Sequence, residues 1–421
     1  MLDLSLFPPS ARVDGEDLLI GGCSLRAIAE RFGTPAFVVD EGSLRERARE
    51  YRTAMTSRYP RAAVCFAVKS FPSVSMIRVL VSEGLGCDVV GAGELRMALA
   101  AGADPATVVM HGNAKSNADI AAALDAGIGY IVVDGFDDID RIERLAGPGA
   151  AVPVLLRVSP GIDAHTHQAM ATGGSASKFG VSVDQAPAAI SRIRAGGVAD
   201  LRGLHAHIGS QITSLAQFEA EVAALAALGE RFDVYNLGGG LGVRYEKADT
   251  TPTIAEYAQA LVDAVRRHLG GGVEVIVEPG RSLVAPMAVT VYRVVTVKRN
   301  ARTHVAVDGG MGDNLEHSLY GQCFSPAVIG RWDGPAQLAD LVGRHCESGD
   351  VITPDVPLAD PRIGDLIAVP VTGAYCFTMG NNYNAALRPP VIYCADGAAR
   401  LGVRRETLDD LLAREMPVNG A

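Results

Sequence analysis

Lys69 is the first candidate for chemistry in this 421-residue chain. It ends the apolar run Phe66-Ala67-Val68, where an ammonium group is costly to bury unless it is paired or used covalently. Lysine supplies only 5 of the 38 lysine and arginine residues, and arginine cannot form an imine because its guanidinium stays protonated. Imine chemistry at Lys69 is one interpretation, and an amine in water just past the end of a strand is the other.

A glycine loop and an acidic motif follow two later apolar runs. Gly238, Gly239 and Gly240 let backbone N–H groups approach an anion such as phosphate, although a tight turn would need the same residues. Glu278 begins the motif Glu278-Pro279-Gly280-Arg281. A carboxylate beside a phosphate loop suits a cationic part of the ligand, such as a protonated pyridine nitrogen.

Two histidines alternate in another apolar run. On the assumption that these alternating histidines point to opposite faces of the strand, we expect at most one of His205 and His207 to line the barrel. The imidazole of His207 can stack on a planar cofactor and Ser210 can donate to phosphate, although His207 alone would be interpreted as a hydrogen-bonded core residue. Together, the lysine, the carboxylate and the glycine loop match pyridoxal 5′-phosphate (PLP).

The elements that must position these groups follow a βα pattern. Between residues 36 and 285, short β-branched runs alternate with amphipathic helical segments. Eight runs predict a closed (βα)8 TIM-like barrel, whose catalytic groups gather at the carboxyl ends of the strands. A doubly wound open sheet is the competing arrangement. The candidate strands are 63–69, 87–90, 108–111, 130–134, 152–158, 204–208, 234–237 and 273–278.

The sequence changes character after residue 285. Strand-like runs separated by Gly, Pro and Asp turns predict a mainly β domain over residues 286–421. The first 35 residues contain short strands and one helix, and we expect them to pack with this β domain rather than with the barrel. The predicted organisation is an N-terminal segment (1–35), a barrel (36–285) and a C-terminal β domain (286–421).

Composition excludes several classes of protein. No run approaches the roughly 18 apolar residues of a membrane span, no secretion signal begins the chain, and a net charge of −10 disfavours nucleic acid as a partner. We therefore expect a cytoplasmic protein.

The seven cysteines lack CxxC spacing, so free thiols are expected rather than disulfides or zinc. Asp163, His165 and His167 are only a weak metal candidate, so no metal is predicted.

The same motifs carry a resemblance to a known family. The sequence resembles the fold-type III PLP-dependent decarboxylases of the diaminopimelate/ornithine decarboxylase family, in particular the diaminopimelate branch, over nearly its whole length. These enzymes have an alanine racemase-like barrel and a β domain. The shared motifs are Phe66-Ala67-Val68-Lys69, His207-Ile208-Gly209-Ser210-Gln211-Ile212, Gly238-Gly239-Gly240, Glu278-Pro279-Gly280-Arg281, His345-Cys346-Glu347-Ser348-Gly349-Asp350, Gly373-Ala374-Tyr375 and Tyr383-Asn384.

The resemblance implies roles toward the cofactor. Lys69 would hold PLP covalently, His207 would stack on its ring and Glu278 would pair with its ring nitrogen. Asp88 and Arg157 would support the lysine and the ring. The residues expected around the phosphate are Ser210, Gly239, Gly240, Gly280, Arg281 and Tyr375.

It also implies roles toward a small amino-acid substrate. Cys346 would donate the proton that replaces the lost carboxylate, although a free cysteine is more often a small buried hydrophobe. Its loop would cross a homodimer interface to complete the neighbouring site. The expected substrate-binding residues are Arg281, Glu316, Tyr320, Glu347 and Tyr375.

The resemblance favours conversion of meso-diaminopimelate to L-lysine and CO2, with one departure. Glu316 stands where the diaminopimelate branch usually has an arginine, and a reversed charge would repel the distal carboxylate of that substrate. A one-residue shift in the comparison or another arginine would remove this difficulty. The alternatives are a related D-diamino acid or modified amino acid as substrate, a fold-III racemase, and a regulatory homologue without cofactor. Lys115, Lys247 and Lys298 are expected to be ordinary surface charges.

Overall fold

A computed structural model describes residues 3–162, 177–332 and 334–416. The chain divides into two compact units. The barrel unit comprises Arg45–Val243 and Thr250–Leu283, and the sheet unit comprises Met1–Leu44, Arg244–Asp249 and Val284–Ala421.

The N-terminal segment lies in the sheet unit. Its elements are β1 (Arg12–Asp14), β2 (Asp17–Ile20), β3 (Cys23–Ser24), α1 (Leu25–Phe32), β4 (Ala36–Asp40) and the start of α2 (Glu41–Thr56). Ser24 caps α1 by accepting a hydrogen bond from Ala27 N. All five residues of β4 are buried, and this strand pairs with two C-terminal strands, Ala288–Arg299 and Val391–Ala395. This pairing places residues 36–44 with the sheet unit.

The barrel unit is built on parallel strands that close on themselves. Its eight barrel strands and the short β10 are β5 (Ala62–Ala67), β6 (Gly86–Val89), β7 (Val108–Met110), β8 (Tyr130–Val133), β9 (Val152–Ser159), β10 (Val181–Ser182), β11 (Ala199–His205), β12 (Val234–Asn236) and β13 (Glu274–Val277). The pairing of β13 with β5 closes the ring, while β10 adds to the edge of β9. The predicted barrel is confirmed, and the open-sheet alternative is excluded.

Helices connect these strands. They are α3 (Val74–Ser82), α4 (Ala92–Ala101), α5 (Asn117–Ala126), α6 (Phe136–Ala146), α7 (Ala186–Gly196), α8 (Leu215–Ala226) and α9 (Ile254–His268). A short helix, α10 (Arg281–Val284), follows the last barrel strand. Capping boxes begin α5 and α9, where Ser116 and Thr253 exchange hydrogen bonds with Asp119 and Glu256. Buried side chains from six strands form a core cluster: Cys65, Val109, Val132, Leu155, Val234 and Ile276.

The C-terminal part is mainly β structure, as predicted. Its elements are β14 (Ala288–Arg299), β15 (Thr303–Val307), α11 (Glu316–Tyr320), β16 (Ala327–Val328), β17 (Ala336–Val342), β18 (Val351–Ala359), β19 (Leu366–Pro370), β20 (Val391–Ala395), β21 (Ala398–Val403) and α12 (Leu408–Leu412). Leu18 and Leu25 of the N-terminal segment share one core cluster with Val289 and Ile392. The N-terminal segment thus packs with this sheet.

Several sequence-based exclusions can be compared with the described residues. None of their helices is long and apolar enough to span a membrane, and they contain no cluster of three metal-ligating side chains. The weak metal candidate Asp163, His165 and His167 lies outside them. All seven cysteines are free thiols.

The prediction of a surface position for Lys115 is wrong. Its side chain is fully buried, with Nζ 2.7 Å from Asp138 Oδ2 and 2.7 Å from the carbonyl oxygen of Gly112. The ion pair links the loop before α5 to the first turns of α6. By contrast, the side chain of Lys247 is 83% exposed. Sequence alone could not pair Lys115 with a carboxylate 23 positions further along the chain.

We predict that Lys115→Met destabilises the protein by about 2 kcal/mol, because the buried carboxylate of Asp138 loses its ammonium partner and retains the Arg141 guanidinium, 3.3 Å away, as a cationic partner. The measurement is urea unfolding followed by circular dichroism. Lys247→Met is the matched control and should leave stability nearly unchanged, since its pair with Asp3 is exposed. Equal losses in the two variants would contradict the assigned role of the Lys115–Asp138 pair.

A second buried acidic residue is Glu221 on α8. It is fully buried, and neither carboxylate oxygen has a hydrogen-bond partner among the described residues. Burial, reinforced by the negative charge of Glu278, raises the pKa of Glu221 well above its ordinary value. The folded protein therefore keeps this proton at a pH where the unfolded chain releases it, so the carboxyl group destabilises the fold increasingly as pH rises.

We predict that Glu221→Gln is more stable than the parent protein at pH 8, by about 2 kcal/mol, and that the gain shrinks toward pH 5. Urea unfolding at both pH values measures it. Glu219→Gln, on the same helix, is the control with the opposite sign. The Arg267 hydrogen bond lowers the pKa of exposed Glu219, so this carboxylate contributes stability above its ordinary pKa. A pH-independent effect of Glu221→Gln would refute the prediction.

Candidate active site

Lys69 lies immediately beyond β5, in a short 3₁₀ turn formed by Val68–Ser70. Ala67 N donates to the Pro279 carbonyl oxygen at 3.1 Å, which joins this strand end to the Glu278 motif. The Lys69 charge contributes to the pKa shifts of Asp88, His207 and Glu278, so the amine lies within electrostatic range of all three. Lys69 itself is partly exposed, which keeps its amine accessible to a ligand.

Glu278, just after β13, is 5% exposed and is held by two neighbouring strand ends. Asn236 Nδ2 donates to its Oε1 at 2.6 Å, and His205 Nε2 lies 3.2 Å from its Oε2. Burial opposes ionisation of this carboxyl group, but the charge and hydrogen bond of His205, with His111 and Lys69, outweigh it and lower the pKa of Glu278. Glu278 is therefore an anion at neutral pH.

The pKa of Asp88, at the end of β6, shifts in the opposite direction to that of Glu278. Its Oδ2 is 3.0 Å from His111 Nε2, and both residues are buried. Burial first, and then the charge of Glu278, raise the pKa of Asp88 well above its ordinary value, while burial lowers the pKa of His111. The site thus favours one ionised carboxylate, on Glu278, over two.

Both histidines of the alternating pair contact the site, so the expectation that at most one would do so is wrong. β11 ends at His205, whose ring lies beside Glu278. Residues two apart in an extended chain, such as 205 and 207, lie on the same side, and His207 Nδ1 accepts a hydrogen bond from Gly239 N at 3.3 Å. Burial and the Lys69 charge lower the pKa of His207, which favours a neutral imidazole.

The loops that follow β11 and β12 form a cradle of backbone. Ile212 N donates to the Gly240 carbonyl oxygen at 2.9 Å, and the Gln211 side chain hydrogen-bonds both the N–H and the carbonyl of Val243. A Cβ atom on Gly239 would lie 2.2 Å from the Glu278 carbonyl oxygen. This close approach requires glycine at position 239.

A polar pair borders this cradle. Arg281 is 5% exposed, and its Nε donates to Ser210 Oγ at 3.2 Å. A Cβ atom on Gly280 would be 3.2 Å from both the Ala67 and the Ser70 Cβ atoms, so glycine lets the Glu278 motif approach β5. The cradle and the cation together suit an anion such as phosphate.

Arg157, on β9, is buried farther around the barrel. Its Nε is 3.9 Å from Asp134 Oδ1, and its guanidinium lies 4.5 Å from the centroid of the Phe179 ring. Arg157 contributes a positive charge that acts on Asp88 and His207. The charge of Arg157 therefore acts on the same residues as the charge of Lys69.

The sheet unit carries the other sequence-predicted residues. Cys346 and Glu347 lie on the exposed loop between β17 and β18. Tyr375 follows β19 with a φ of 61°, in the left-handed region that non-glycine residues seldom adopt. At the two ends of α11, Glu316 is 1% exposed and Tyr320 is half-buried.

The residues of the barrel unit fit PLP on three grounds. The amine of Lys69 can condense with its aldehyde, the anion of Glu278 can pair with a protonated ring nitrogen, and the glycine cradle with Arg281 can bind its phosphate. The fit rests on the donor set and on the Gly239 approach, which leaves no space for a side chain.

Sequence reasoning missed three residues of this site: His111, His205 and Asn236. Each ends or immediately follows an apolar strand and is at most 5% exposed. Polar side chains at the carboxyl ends of predicted barrel strands were the available signal. In this sequence the signal extends beyond Lys69 and Glu278 to these three strand ends.

Comparison with known proteins agrees with this arrangement. The family described as "Pyridoxal-dependent decarboxylase, pyridoxal binding domain" matches residues 41–285. The chain is 43% identical to the diaminopimelate decarboxylase of Actinosynnema pretiosum subsp. auranticum, with coverage of 99% of this chain and 96% of the relative. It is 39% identical to the Bacillus subtilis enzyme of the same name, with 95% coverage of each.

Solved structures give the same result. The diaminopimelate decarboxylase of M. jannaschii in co-complex with L-lysine has a TM-score of 0.91 at 29% identity, covering 98% of each chain. The enzyme of that name from Helicobacter pylori, complexed with L-lysine, has a TM-score of 0.86 at 30% identity, covering 92% of this chain and 98% of its own. The chain therefore belongs to the pyridoxal-dependent decarboxylase family, among its diaminopimelate decarboxylase relatives.

Proposed function

We propose that this protein is a PLP-dependent carboxy-lyase that converts meso-diaminopimelate to L-lysine and CO2. The observation that carries the proposal is the buried, ionised Glu278 beside Lys69 and the glycine cradle at one end of the barrel. The near-complete coverage of diaminopimelate decarboxylase relatives supports the choice of substrate.

When bound, PLP supplies the aldehyde that condenses with an amine and the ring that withdraws the electron pair left behind by CO2. Lys69 provides the amine that anchors it. The anion of Glu278, oriented by Asn236 and His205, holds a proton on the ring nitrogen. A neutral His207 can stack on a positively charged ring without repelling it. Together these residues would stabilise the negative charge that develops on the substrate when carboxylate departs.

The remaining roles are assigned to the sheet unit. We propose that Cys346 Sγ donates a proton to the carbon that has lost its carboxylate, and that Glu347 and Tyr320 contact the substrate. Tyr375 is assigned to the phosphate and the substrate, and so is Arg281 of the barrel unit. The exposure of Cys346 supports a chemical role, because a cysteine that only fills space is normally buried.

Glu316 bears on the identity of the substrate. Its side chain is 1% exposed at the first residue of α11, so the carboxylate is covered. The sequence-based role of Glu316 in substrate binding stays a prediction. Because a covered carboxylate does not present its charge freely to a ligand, this residue is a weak argument against diaminopimelate.

We predict that the PLP-loaded protein releases CO2 from meso-diaminopimelate with a kcat/KM at least about 100-fold above those for D-lysine, D-ornithine and L-ornithine, since the latter three lack a distal carboxylate. Coupled CO2 detection and chromatography of the products measure it. Turnover of a diamino acid without turnover of diaminopimelate would overturn the substrate. Racemisation without CO2 would overturn the reaction class.

We also propose a homodimer in which Lys69 of one subunit and Cys346 of the other serve the same site, as the family resemblance implies. The proposal accounts for two exposed functional residues, Cys346 and Glu347, on the sheet unit. A cytoplasmic location stays a prediction.

Mixing two inactive variants tests whether Lys69 and Cys346 of one site come from different subunits. Lys69→Ala and Cys346→Ala should each have very low activity, and unfolding, mixing and refolding them together should restore about a quarter of the parent activity, because half the dimers then contain one intact site of two. Each variant refolded alone is the control. No recovery, with mixed dimers demonstrated by mass spectrometry, would show that both residues must come from one chain.

A further inference from the structure

We propose that Asn384 is a positioning residue for Cys346. Cys346 N donates to Asn384 Oδ1 at 2.8 Å, although the two residues are 38 positions apart. The adjacent Tyr383 hydroxyl donates to the carbonyl oxygen of Cys346 at 3.5 Å. Two consecutive residues of one loop thus hold the backbone N–H and carbonyl of Cys346. The inference rests on the proposed function, in which Cys346 is the proton donor.

The backbone of Asn384 is suited to this contact. Its φ of 51° and ψ of 30° place it in the left-handed region, which asparagine and aspartate tolerate better than other non-glycine residues. Glycine would meet the backbone requirement but has no oxygen to accept the Cys346 N–H. Asparagine meets both requirements, without bringing a negative charge close to the thiol.

The residue before Cys346 is fixed independently. His345 N donates to Asp350 Oδ2 at 2.6 Å, and the His345 ring accepts a hydrogen bond from Gly312 N at 3.2 Å. The same ring stacks on Tyr383, with centroids 5.5 Å apart and an interplanar angle of 29°. The loop is therefore held at residue 345 by Asp350, Gly312 and Tyr383, and at residue 346 by Asn384.

This arrangement matters because Cys346 is exposed on a loop outside the β-strands. Without the Asn384 contact, the peptide plane between residues 345 and 346 could rotate, and the direction of the Cα–Cβ bond would vary. A proton donor must point at one carbon atom, and small displacements of a catalytic group are costly to the rate. Asn384 therefore acts on kcat through the thiol rather than on substrate affinity.

Three variants separate an effect on kcat from an effect on substrate affinity. Asn384→Gly keeps the left-handed backbone and removes the acceptor, and we expect kcat to fall about tenfold with KM changed less than about twofold. Asn384→Asp restores an acceptor and should recover part of kcat, because its negative charge close to the thiol opposes loss of the thiol proton. In a Cys346→Ala background, Asn384→Gly should cause little further loss, because the two residues act as one unit. Unfolding curves of the three variants serve as the stability control.

A second measurement does not depend on turnover. Iodoacetamide labelling of Cys346, followed by peptide mass spectrometry, should change in rate in Asn384→Gly and return toward the parent rate in Asn384→Asp. Unchanged labelling and unchanged kcat in Asn384→Gly would overturn the positioning role. A changed labelling rate in a protein inactive on diaminopimelate would instead retain the Asn384 contact and reject the proposed function.

Discussion

The stabilisation of one buried negative charge, on Glu278, is the constraint on which the site depends. A carboxylate taken out of water is costly unless hydrogen bonds and opposite charges replace its hydration. Here Asn236 and His205 supply those contacts from the ends of β12 and β11. The strand register pairs His205 with Asn236, and Asn236 with Ile276, two residues before Glu278. The parallel register of the barrel therefore sets the geometry of this charge.

The contrast between Glu278 and Asp88 explains how the same region can hold a cationic ring nitrogen. Two ionised carboxylates in a buried region repel each other, and the pKa shifts separate them: Glu278 is favoured as the anion and Asp88 as the neutral acid. Such a pair of shifts is typical of groups with distinct chemical roles. A neutral His207 adds no positive charge to compete with the ring nitrogen for Glu278.

The barrel and the groups at its strand ends could be predicted because both depend on local patterns. Runs of β-branched residues marked the strands, and Lys69 and Glu278 followed two of them. The partners of a buried charge could not be predicted as readily, because they are set by strand register and by the packing of loops. His205 illustrates this, since its partner Glu278 lies 73 positions further along the chain. β4 illustrates it too, because an apolar five-residue strand carries no signal of which sheet it joins.

The contacts that hold Glu278 differ from those that hold Cys346, because the two residues have different roles. Glu278 must remain ionised while buried, so its partners are side chains at the rigid ends of paired strands. Cys346 must instead keep one direction on an exposed loop, and the hydrogen bonds that hold it act on the backbone N–H and carbonyl. Holding the backbone leaves the thiol itself free of hydrogen bonds to these partners, as a proton donor requires. The ends of the barrel strands thus keep Glu278 ionised, and loop contacts within the sheet unit fix the direction of the Cys346 side chain.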